Sequence, residues 1–118
     1  MTDYNAIVPA VANAAVAVSG NITSLITKTK ASGIINKAQL TMLKDQTAKV
    51  LADARAFHSF DIVSTNLEQI AKTQEYIDNL VKQGRLHGSS FTMAMEQLED
   101  LNSMLRRNLK NFENRELW

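Results

Sequence analysis

The sequence predicts an all-α fold, an elongated antiparallel bundle of four helices with coiled-coil-like packing that occupies residues 1–118 as one domain. Three observations lead there. Apolar residues recur in alternating steps of four and three along successive stretches, which is the seam of helices packed lengthwise. The 4 Gly and 1 Pro fall mostly between those stretches, where they act as breaks. No alternation of apolar and polar residues runs long enough for a sheet strand. A chain of 118 residues has room for one modest core.

The first helix organises the rest. From Tyr4 to Thr27 the chain has no charged residue, and its seam reads Tyr4, Val8, Val11, Ala15, Val18, Ile22 and Leu25, widened by Ile7, Ala14 and Ile26. Asn5 is the expected cap. Pro9 falls in or just after the first turn, where a missing amide costs little. Gly20 in mid-helix costs about 1 kcal/mol relative to Ala, so a close neighbour or a bend is expected there. Lys28 and Lys30 suit the negative end of the helix dipole. Ala31, Ser32 and Gly33 then end the helix.

Asn36 opens the second helix as N-cap, with Gln39 placed to return a hydrogen bond and Ile35 placed to staple onto Leu40. Its seam is Leu40, Leu43, Thr47, Val50, Ala54 and Phe57, with Met42 and Leu51 beside it and charged residues on the other faces. At His58, Ser59, Phe60 and Asp61 the rhythm slips, because Phe57, Phe60 and Val63 are spaced three and three. A corner is expected, capped by Ser59 or by Thr65 with Glu68. The alternative is one rod from Lys37 to Lys82, giving three long helices.

The third seam is Val63, Leu67, Ile70, Gln74, Ile77 and Val81, flanked by the surface pairs Glu68 with Lys72 and Asp78 with Lys82. Gly84 to Gly88 form a loop, and Ser89 or Ser90 is the expected cap of the last helix. That helix has the seam Phe91, Ala94, Leu98, Leu101, Leu105, Leu109 and Phe112, with Met95 and Met104 adding width. Glu96, Glu99 and Asp100 lie early, and Arg106, Arg107 and Lys110 late, in the sense the helix dipole prefers.

Reactive constellations are sparse. His58 and Asp61 lie one turn apart but are too few for a zinc site, and the carboxylates of Glu96, Glu99 and Asp100 lack the Glu-x-x-His partner of di-iron bundles. His87 reads as a solvent-exposed loop side chain. The Gly84–Gly88 loop lacks the Gly-Lys-Ser/Thr ending that holds phosphate, and Ser89 and Ser90 stand in no G-x-S-x-G setting. The expectation is therefore a non-enzymatic protein that needs no metal and no cofactor. Without cysteine there is no disulfide, which fits a reducing, cytoplasmic setting.

Charge is balanced, 13 Lys and Arg against 12 Asp and Glu, so no long-range field favours nucleic acid. Arg106, Arg107, Lys110 and Arg115 are interleaved with Glu113 and Glu116. No basic residue precedes the first apolar run, against a signal peptide, and Asn5, Asn13, Ser19, Gly20 and Asn21 interrupt it as a spanning helix. The functional expectation is a protein–protein interaction module that self-associates as a homo-oligomer, of the adaptor, chaperone, immunity or assembly-subunit kind. Its candidate contact residues are Val11, Val18, Ile22, Phe57, Phe60, Leu117 and Trp118. The alternative is a peripheral membrane or membrane-active protein that uses the uncharged first helix.

Overall fold

The computed structural model describes residues Tyr4–Glu116. They form four helices, α1 (Tyr4–Ser32), α2 (Lys37–Arg55), α3 (Asp61–Lys82) and α4 (Ser89–Glu116), with a single 3-10 turn at His58–Phe60. Neighbours in the bundle are α1 with α2, α2 with α3, α3 with α4, and α4 with α1. Each neighbouring pair runs antiparallel, as the short connections require. Rods of 19 to 29 residues give a body of 48 × 24 × 19 Å.

The four-three seams are the core. Val8, Val11, Ala15, Val18, Ile22 and Leu25 of α1 are all buried, and so are Val63, Leu67, Ile70, Ile77 and Val81 of α3. Leu40, Leu43 and Val50 of α2 and Leu98, Leu101, Leu105 and Leu109 of α4 complete one continuous cluster. Met42 departs from expectation. It is 73% exposed, and Met104 is 43% exposed, so neither widens the core.

Helix ends follow from local chemistry. Gly33 (φ 76°) closes α1, its amide donating to the Thr29 carbonyl at 2.8 Å. Gly84 (φ 71°) ends α3 with the Arg85 amide donating to Leu80 O and the Gly84 amide to Val81 O, a Schellman closure that a side-chain-bearing residue adopts only with strain. Asn36 caps α2, its Oδ1 accepting from the Gln39 amide at 2.9 Å, and Ile35 is buried with Leu40. The reciprocal bond is not made. The Gln39 side chain instead donates across to Ser24 Oγ of α1.

Three other expected caps move. Tyr4 already lies in α1, so Asn5 is inside the helix. Phe60 holds the cap position of α3 without a side-chain bond, and Thr65 sits a full turn inside, donating to the Asp61 carbonyl. Gly88 precedes α4, its carbonyl accepting from the Thr92 amide, so Ser89 is already helical.

The chain turns between Arg55 and Asp61 and does not continue as one rod, so four helices form. Phe60 explains the corner. It is fully buried, its ring stacked on Phe112 of α4 at 4.5 Å and set edge-on to Phe57 at 6.4 Å. The three-three step points Phe60 inward to plug the end of the core.

Candidate interaction surface

Of the residues nominated from sequence, Val11, Val18, Ile22 and Phe60 are buried among the chain's own helices. Phe57 is half-buried against that core, and Leu117 and Trp118 lie outside the described residues. The side chains open to another molecule lie opposite the seam. On α1 the exposed positions from Ala10 to Gly20 are Ala10, Asn13, Val16, Ala17 and Gly20, a strip without charge. Val16 is 47% exposed.

Two grooves flank this strip. Toward α2 one is floored by Ile7, Val11 and Ala14 with Val50, Ala56 and Phe57. Toward α4 Val16, Ser19 and Gly20 face Arg106, Leu109 and Lys110. On the other side of Arg106 a second hollow between the same helices is lined by Thr23, Thr27 and Lys30 with Glu99, Asn102 and Ser103. Gly20 meets no atom within 4 Å of where a Cβ would stand, so its own chain supplies no close neighbour.

Polar side chains hold α1 and α4 in register beneath this surface. Arg106 donates from Nε to Ser19 Oγ at 2.9 Å and from Nη2 to Thr23 Oγ1 at 2.8 Å. Asn102 also donates to Thr23 Oγ1, and its own Oδ1 is buried without a partner. Higher up, Lys30 bridges Glu99 at 2.7 Å. Arg106 thus binds hydroxyls on the charge-free stretch of α1, and it forms no ion pair with a residue whose side chain is described. The sequence marked Arg106 only as part of a basic cluster. A partner 83 to 87 positions away leaves no local signal.

Across the bundle, α2 and α3 are joined by Lys44, which bridges Glu75 and Asp78 at 2.8 Å each, while Lys82 reaches Asp78 at 3.0 Å. Hydrogen bonds from Lys44 and then Lys82 hold the Asp78 carboxyl below its ordinary value, and those to Asp78 and Glu75 raise Lys44. Glu68 is likewise lowered, by Arg55 first and Lys72 second. These are compensated structural pairs. Among the described residues no group of three or more His, Cys, Asp or Glu is placed to hold a metal, and His87 is exposed in its loop.

Comparison with protein-family models, with curated proteins and with solved structures returned no match.

Proposed function

We propose that this chain is a non-enzymatic protein–protein interaction module that associates with copies of itself, and that the contact is made on the α1/α4 side of the bundle. The observation carrying this reading is the outer strip of α1. A helix face standing in water ordinarily carries charge, as those of α2, α3 and α4 do, whereas α1 has none from Tyr4 to Thr27 on any face. Small side chains at Ala10, Ala17 and Gly20 let another backbone approach closely, and Val16 adds apolar area. A charge placed in the strip tests this. Val16→Lys should leave the melting temperature within about 2 °C, because a surface change away from special features is worth under about 0.5 kcal/mol, while weakening association at least about tenfold in light scattering. Unchanged association would count against the strip as the contact.

A second reading has its own support. The 26 residues Ile7–Ser32 are long and apolar enough to cross a membrane. Insertion would require α1 to leave the core contacts of Val18, Ile22 and Leu25 and the hydrogen bonds of Arg106, so it stands second. Flotation with neutral and anionic vesicles separates the two. Intact protein remaining in the soluble fraction supports the contact module, and flotation supports the membrane reading.

A further inference from the structure

We propose that the outer stripe of α4 seats a second copy of the same stripe, antiparallel, about a two-fold axis beside Ser103. The inference rests on the reading that the chain self-associates, and it specifies how.

Glu96, Asp100, Ser103, Arg107 and Lys110 succeed one another in steps of four and three, and all five are exposed. They therefore line one outward stripe of the helix. Its charges are segregated, with acids on the N-terminal side of Ser103 and bases on the C-terminal side. The order has the sense the helix dipole prefers, but these residues stand too far from the helix ends for the dipole to account for it, because its influence fades within the first and last turns. Glu96 is the eighth residue of Ser89–Glu116, and the first turn of α4 holds no acid. Nor, between Glu96 and Lys110, do any opposite charges stand three or four positions apart along the helix. Glu96 and Asp100 are like charges one turn apart, as are Arg107 and Lys110, spacings that destabilise an isolated helix. Elsewhere the chain uses that spacing favourably, pairing Glu68 with Lys72 and Asp78 with Lys82. None of the four forms an ion pair with a residue whose side chain is described, a set that stops at Phe112 on this helix.

A second copy laid antiparallel supplies what is missing. Glu96 and Lys110 each lie seven positions from Ser103, and Asp100 and Arg107 lie three and four. Rotation about Ser103 therefore sets each acid of one copy against a base of the other, a self-complementary contact of the kind two-fold symmetry demands. A parallel, in-register pairing places acid on acid and base on base, so the charges select the orientation. Ser103 on the axis is small enough for close approach. It also lines the α1/α4 groove with Glu99 and Arg106, so the stripe and the uncharged strip share one side of the molecule. The molecule measures 48 × 24 × 19 Å, so any of its long sides accommodates the roughly 800 Å² per partner of a standard interface.

The test is a charge swap in the full chain, read by sedimentation velocity and native mass spectrometry, with circular dichroism to verify folding of each variant. The wild type should show a monomer–dimer equilibrium that tightens near 0.01 M ionic strength, where screening extends over about 30 Å, and weakens near 1 M. Glu96→Lys with Asp100→Lys, and separately Arg107→Glu with Lys110→Glu, should each dimerise at least about tenfold more weakly, since like charges then face one another. An equimolar mixture of the two variants should restore a dimer holding one of each. Variants that pair with themselves as tightly as the wild type, or a mixture without the mixed dimer, overturn the antiparallel stripe and leave self-association standing. A wild type that stays monomeric at every salt and concentration overturns both.

Discussion

At Asp78 two helices share one carboxylate, which accepts from Lys44 of α2 and from Lys82 of its own helix. A carboxyl more acidic in the fold than in the unfolded chain contributes stability above its unfolded value and loses that contribution as pH falls through the folded one. The share from Asp78 is therefore complete at neutral pH and disappears below its ordinary value of 3.8. Lys44 has the opposite sign. Its folded value is raised, so its share is complete below 10.5 and lost as pH climbs past that. Asp78→Asn should lower stability at pH 7 by about 1 kcal/mol, the scale of a partly solvated ion-pair network, with the deficit shrinking toward pH 3 in urea melts. An equal deficit at both pH values would mean that the charge is not what matters. In the dilute monomer Gly20→Ala should raise stability by about 0.5–1 kcal/mol, because Ala is the better helix former and the site is open within the single chain. A lowered melting temperature would place something against Gly20.

Among the elements, the corner and the buried polar pair between α2 and α3 can each be tested through a single side chain. Phe60→Ala removes the ring that touches Phe57 and Phe112 and should destabilise by about 3–5 kcal/mol. A loss under about 1 kcal/mol in denaturant melts would show that the corner is held by something else. Gln74 is fully buried, donates to Thr47 Oγ1 at 3.1 Å, and leaves its Oε1 without a partner. Replacing a half-satisfied polar group by an apolar one of similar size relieves its desolvation, so Gln74→Leu should hold or raise the melting temperature. A marked drop would mean that Oε1 is satisfied in solution.

Much of this element layer was legible in the sequence, since periodicity is a direct record of which face is buried. Val18, Ile70 and Leu105 fall on their seams and are fully buried. The slip at Phe57, Phe60 and Val63 located the corner. What could not be read were choices made by distant partners. Gln39 had a local bond available and reaches across to Ser24 instead, and Arg106 finds its hydroxyls on α1. For the same reason seam residues such as Val11, Val18 and Ile22, nominated as contacts from their apolar character, lie inside the bundle. The open strip at Val16 and Gly20 is recognised only once the seam's opposite side is known to face water.

For the whole molecule, one side joins the uncharged strip of α1 to a charge-segregated stripe of α4, while the α2/α3 side has its ion pairs matched internally. This asymmetry is why we propose the contact for the first side. Val18→Asp separates folding from contact, since an uncompensated charge in a fully buried position should abolish the helical circular dichroism altogether. A folded Val18→Asp chain would mean that α1 does not pack through this face. The most direct measurement is sedimentation equilibrium of the wild type over a wide concentration range. Self-association predicts an average mass that climbs from the 13.1 kDa of one chain toward twice that value, and a mass fixed at 13.1 kDa throughout would contradict it.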